Sequence, residues 1–163
     1  MSAASIASFV VFLAIVFAVA MSGAIFKPGP WYQALDKPGW TPPNWAFPVV
    51  WSALYVMIAV AGWRVYEEAG LLVLPFAVYG LQLVLNAAWS AFFFGMRRPD
   101  LAFADVIAMA LVIALNIALF WPIDAIAALL LVPYLAWACI AACLNYSVWR
   151  RNPDAFRAAR VAG

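Results

Sequence analysis

The sequence contains no histidine and little charge: 10% of its 163 residues are Asp, Glu, Lys or Arg. A soluble domain averages about 25% charged and about 45–50% apolar residues, whereas this chain is 69% apolar with a mean hydropathy of +1.00. A 17.8 kDa chain has too little interior to withdraw that much apolar surface from water. Lipid is therefore the solvent for most of it. Without histidine, the commonest general base and metal ligand is missing. The net charge of +2 is too small to imply a polyanionic partner such as nucleic acid. The two cysteines, Cys139 and Cys143, lie four apart inside an apolar run. They read as small packing residues, because a zinc or redox site needs more ligands than these. A secreted disulfide scaffold, a nucleic-acid binder and an ordinary cytosolic enzyme are excluded, and no metal or cofactor is required.

What is abundant is uncharged length. Residues 1–26, 38–63, 69–96, 106–123 and 125–149 each lack Asp, Glu, Lys and Arg, and a spanning helix needs about 20 mostly apolar residues. The pattern predicts one domain over 1–163, an all-α membrane protein of five spans near 5–26, 44–65, 70–96, 101–121 and 124–149. Pro99-Asp100 opens the fourth span, and Asp105 falls in its first turns, where the helix dipole favours a carboxylate. Asp124 is offered as N-cap of the fifth. Otherwise no ionisable group but Tyr and Cys is expected mid-span. Ala18-Val19-Ala20 has a small-x-small look, but Met1–Ser5 lacks positive charge and the following apolar run is long, so a retained first helix is expected rather than a cleaved signal.

Orientation follows from Lys and Arg. One side of a five-span protein holds only Arg64, and the other holds Lys27, Lys37, Arg97, Arg98, Arg150, Arg151, Arg157 and Arg160. In an inner or organellar membrane this places the C-terminus and first loop in the cytoplasm and the N-terminus outside.

The first loop, 27–43, reads KPGPWYQALDKPGWTPP, with five prolines in 17 residues. Proline fixes φ and biases its predecessor to extended forms, so the segment is stiff without being helical throughout. Trp, Tyr and Lys at the headgroup level explain some of the composition. A connection of this length where 4–6 residues suffice points to an ordered lid, built from Trp31, Lys37, Pro38, Trp40, Pro42 and Pro43. On the third span, Gln82, Asn86, Trp89, Ser90 and Phe93 recur at spacings of three and four and share a face. Tyr134, Trp137, Ala141 and Asn145 form a similar stripe on the fifth. Gln82 and Asn145 read as polar glue between helices. Asn86 with Trp89 and Ser90, opposite Trp137, reads as a pocket with aromatic walls and few polar points.

Trp31-Tyr32-Gln33-Ala34-Leu35-Asp36-Lys37-Pro38-Gly39-Trp40-Thr41-Pro42-Pro43 resembles the loop signature of the translocator protein family, also called tryptophan-rich sensory proteins or peripheral benzodiazepine receptors. Phe47-Pro48, Trp51, Gln82-Leu83, Asn86, Trp89-Ser90, Phe92-Phe93, Gly95, Pro133-Tyr134-Leu135-Ala136-Trp137 and Leu144-Asn145-Tyr146 extend the likeness over nearly the whole chain. The resemblance implies a five-helix bundle whose internal pocket, capped by the first loop, binds protoporphyrin IX or a related tetrapyrrole. Sterols and drug-like aromatic ligands are also implied. Carried onto matching positions, it implies ligand contacts at Tyr32, Trp51, Asn86, Trp89, Ser90, Trp137 and Ala141, and a homodimer through the third helix, where Ala87 and Ala91 permit close approach. Porphyrin propionates would meet Lys27 or Lys37. Without histidine, imidazole ligation of haem iron is impossible, which favours a metal-free ring. Two other functions stay open: a transporter or facilitator of porphyrins or sterols, and a light-dependent porphyrin-degrading activity at Trp51 and Trp137. Coupled transport is disfavoured by the expected lack of intramembrane charge. Leu144, Tyr146 and Arg150 fit a loose sterol pattern that any membrane interface also produces.

Overall fold

The computed structural model describes residues 2–156, so the expected tail cations Arg157 and Arg160 lie outside the described residues. The helices are α1 (Ala3–Ile25), α2 (Pro30–Gln33), α3 (Ala46–Ala69), α4 (Val73–Ser90), α5 (Pro99–Phe120) and α6 (Ala125–Arg151). A π turn, Ala91–Gly95, prolongs α4. Five helices are long and apolar enough to cross a membrane: α1, α3, α4 with its π turn, α5 and α6. The spans sit within a few residues of their expected positions. The third begins later, because Gly70 ends α3 with φ +69° and Leu72 is extended. A positive φ is cheap only for glycine.

The five long helices close into a ring in the order α1, α3, α6, α5, α4 and back to α1. Small residues let them approach: Ala59, Ala61 and Gly62 on α3, and Ala127, Ala128, Ala138 and Ala142 on α6, are buried. At Gly62 a Cβ would lie 2.7 Å from Cζ of Tyr79, so no larger residue fits without moving that ring. Tyr79 uses the close approach to donate its hydroxyl to the Ile58 carbonyl at 3.0 Å, and its ring stacks on Phe120 at 6.0 Å. Phe12, Leu83, Ile113 and Phe120 fill the rest of this half of the bundle.

The filled end is closed by polar groups. Asp124 caps α6, accepting from the Ile126 and Ala127 amides at 2.8 and 3.0 Å. It also pairs with Arg64 of the neighbouring α3 at 2.8 Å. Burial pushes the Asp124 carboxyl up, but the Ala127 amide, the Arg64 guanidinium and the Ile126 amide together hold it below its ordinary value. Large side chains therefore pack one half of the bundle, and the interior of the other half stays open beneath the first loop.

Candidate functional site

The open half is a cavity of about 530 Å³, lined by all five long helices and the first loop. That size lies within the range of small-molecule sites, roughly 300–1,000 Å³. Its walls include Phe47, Trp51 and Tyr55 from α3, Asn86, Trp89 and Ser90 from α4, and Phe93 and Phe94 from the π turn. Val106 and Met109 come from α5, and Trp137, Ala141, Leu144 and Asn145 from α6. The seven residues expected to meet a ligand, Tyr32, Trp51, Asn86, Trp89, Ser90, Trp137 and Ala141, all line this one space.

The aromatic walls hold one another in place. Trp51 stacks on Tyr55 at 5.3 Å and meets Tyr134 edge-on at 6.1 Å. Trp89 stacks on Phe93 at 5.2 Å, and Trp137 meets Phe47 edge-on at 5.9 Å. Such pairs prefer offset-stacked or edge-to-face geometry and fix ring orientation. The indole N–H of Trp89 is buried without a protein partner. A polar chain lies at its floor. Tyr55 donates to Asn86 Oδ1 at 3.0 Å, Asn86 Nδ2 donates to the Tyr134 hydroxyl at 3.0 Å, and that hydroxyl donates to Met109 Sδ at 3.3 Å. Asn86 thereby ties α3, α4 and α6 together, and Met109 adds α5.

The π turn shapes the mouth. Its widened backbone closes with Met96 N–H on the Ala91 carbonyl at 2.8 Å and turns Phe93 and Phe94 under Tyr32. π turns interrupt α-helices mostly at functional sites. Gly95 lets Phe26 pack against the turn, since a Cβ there would lie 2.8 Å from that ring. Arg97 follows with φ 54°, a left-handed conformation unusual for a side-chain-bearing residue, and its guanidinium lies 5.3 Å from the Trp31 ring.

The first loop is an ordered cover. Leu35 and Pro38 are buried, and Trp31 packs edge-on against Phe156 at 5.5 Å. Asn152, just past α6, grips Asp36 on both backbone edges. It accepts from the Asp36 N–H and donates to the Asp36 carbonyl, both at 2.8 Å. Arg151 meets the Asp36 carboxylate at 3.2 Å. Burial pushes the Tyr32 phenol above its ordinary value, so it faces the cavity as a neutral hydroxyl.

Several expected placements differ. Of the lid residues, Pro42 reaches the cavity together with Tyr32, while Trp40 is exposed. Lys37 turns its ammonium onto the loop's own Gln33 and Leu35 carbonyls at 3.2 and 3.1 Å, above the Tyr32 ring. Neither Lys37 nor Lys27 lines the cavity. Leu144 is buried at the cavity wall, whereas Tyr146 points away and lies against Phe103, so these two and exposed Arg150 form no common surface. Asn145 does bind helix to helix, donating to the Pro99 carbonyl at 2.8 Å. Gln82 does not: it is buried with neither amide atom partnered.

Asp105 is buried about a third of the way along α5, with Oδ2 unpartnered. It faces the bundle interior because it shares a helix face with buried Ala102 and Met109. Tyr55 and Met109 had not been picked out. Tyr55 lies one turn from Trp51 on the same face, a usable signal, whereas nothing in the sequence marks Met109.

A ring of five spanning helices around an aromatic cavity, covered at one end by a pinned loop, defines an integral multi-pass membrane protein. The chain belongs to the TspO/MBR family, whose pattern matches residues 9–150. It is 42% identical over 146 residues to the tryptophan-rich sensory protein of Cereibacter sphaeroides, covering 90% of this chain and 92% of that one. It is 39% identical over 152 residues to protein CrtK of Rhodobacter capsulatus (91% and 95% covered). It is 38% identical over 126 residues to the human translocator protein (75% of each). These relatives support a membrane sensory or translocator role.

Proposed function

We propose that the cavity binds a metal-free tetrapyrrole such as protoporphyrin IX, and that binding under the pinned loop is how the protein senses it. The observation that carries this reading is the aromatic cavity of about 530 Å³, walled by Trp51, Trp89 and Trp137. A flat macrocycle offers π-faces to indoles, and the few polar points, Asn86 and Ser90, orient it. The lysine contacts to propionates are not retained in this reading, because Lys37 is engaged by the loop itself. In an inner or organellar membrane, the Lys/Arg asymmetry would turn the loop end toward the cytoplasm.

Ala141 lines the cavity from α6, so Ala141→Phe fills ligand space from a rigid wall. Titration of protoporphyrin IX, followed by quenching of tryptophan emission, is expected to show at least about tenfold weaker binding with an unchanged Tm. Equal affinity in the folded variant overturns the reading.

The loop makes its own prediction. Asn152→Ala removes both hydrogen bonds to Asp36. The groups are partly exposed, so a net loss of about 1.4 kcal/mol is expected, a roughly tenfold faster dissociation of bound porphyrin. Stopped-flow dilution measures it. An unchanged off-rate would make the loop a fixed anchor rather than a cover that opens.

A further inference from the structure

The seam between α1 and α3 is tight at the filled end of the bundle and open toward the first loop. At the filled end the Phe9 and Trp63 rings lie 5.2 Å apart, and the Trp63 N–H donates to the Ser5 carbonyl at 3.2 Å. A Cβ on Gly62 would lie 2.9 Å from the Phe12 ring, so the helices leave no space there. Toward the loop the contact is lost. Val16 is the last buried residue of α1, and a Cβ on Gly23 would meet nothing within 4 Å. Phe26, just past α1, rests against Gly95 of the π turn, which ties the end of α1 to the α4 side.

The open part of this seam communicates with the central cavity. The antiparallel register that sets Phe9 opposite Trp63 also sets Ala20 opposite Ser52 and Gly23 near Pro48. All four line the cavity, yet Gly23, Pro48 and Ser52 are also exposed. Residues that face the cavity and the outside at once mark an opening. Exposed Phe17, Met21, Val49 and Val56 surround it, so it gives onto lipid rather than water. Pro42 and Asn44, where the loop approaches α3, form its upper edge. Ile140 of α6 is exposed and lines the cavity too, but Trp137 closes the seam beside it by its edge contact with Phe47.

We propose that the gap between α1 and α3 is a lateral portal, through which the tetrapyrrole passes between the cavity and the hydrocarbon layer. This rests on the tetrapyrrole reading of the cavity and adds the direction of access. None of residues 17–25 is buried, so the end of α1 tilts outward without opening the packed core, and a loosened loop widens the gap from above. Binding and release of protoporphyrin IX are followed by stopped-flow quenching of tryptophan emission, with the full chain in phosphatidylcholine vesicles. Gly23→Phe and Ser52→Phe fill the gap from opposite sides. Each is expected to slow binding and release together, several-fold, so that both rates fall by more than Kd changes. Leu111→Phe, on the exposed face of α5, is expected to leave both rates as they are. The two gap variants are independent, so either one decides if the other does not fold. Unslowed exchange in the folded gap variants, or equal slowing by Leu111→Phe, overturns the portal alone. So does a raised Kd with an unchanged binding rate, which marks a wall and not a passage. Failure of the unaltered protein to bind the pigment overturns the tetrapyrrole reading, and the portal with it.

Discussion

Trp51→Phe and Trp137→Phe are each expected to keep protoporphyrin binding within about tenfold of the unaltered protein, whereas light-driven consumption of the pigment, if the unaltered protein supports it, is expected to fall sharply. Phenyl retains most of the flat apolar contact of indole, and the stacking contribution at stake is about 0.5–1.5 kcal/mol beyond area burial. Each ring is also held by neighbours that survive the change: Trp51 by Tyr55 and Tyr134, Trp137 by Phe47. Alanine at either position should cost more, because it leaves a void against the ligand face. Photochemistry has a different requirement. A photosensitiser beside an oxidisable indole reacts without designed acid–base groups, and phenyl is far harder to oxidise. Absorbance of bound porphyrin under illumination and in the dark separates the two effects in the same samples. Bleaching as fast in the Phe variants as in the unaltered protein would make these tryptophans walls only.

Asn86→Leu is expected to destabilise the bundle by about 2 kcal/mol and to weaken porphyrin binding. Asn86 accepts from Tyr55 and donates to Tyr134, and Tyr134 is fully buried. Leucine matches much of the volume but leaves the Tyr55 hydroxyl without its acceptor and the Tyr134 oxygen without its donor. Each orphaned buried group costs about 1–3 kcal/mol, and average interhelical bonds in membranes about 0.6, so about 2 kcal/mol is the expected sum. Thermal unfolding in detergent measures it. Tyr134→Phe, which leaves one buried orphan, the Asn86 Nδ2 donor, in place of two, should be milder. Equal Tm values for Asn86→Leu and the unaltered protein would show that the chain of hydrogen bonds carries no stability.

Legibility in the sequence followed the range of the interaction. Charge-free lengths gave the five spans, and Asp124, a local signal, caps α6 as expected. The face shared by Asn86, Trp89 and Ser90 was readable because helical spacing is also local. The pin between Asp36 and Asn152 joins residues 116 apart, and no spacing rule reaches that far. The burial of Asp105 is not legible in the sequence for a related reason. The dipole rule sees its own helix, whereas the ring of helices decides which face turns inward. The charge of Lys37 is visible in the sequence and suggests a contact to propionates, while the Gln33 and Leu35 carbonyls that engage it appear only once the loop has folded. The π turn at Ala91–Gly95 left no signal in AFFFG beyond its glycine.

The central claim is that the tetrapyrrole lies inside the bundle under the first loop. Diffraction from crystals grown with a metal-free, bromine-substituted protoporphyrin, collected at the bromine edge, tests this most directly, because the anomalous peak marks the position of the ring. The account predicts one peak within the cavity, between Trp51 and Trp137 and beneath Tyr32. A peak on the lipid-facing surface, or none inside the cavity at saturating pigment, would contradict it.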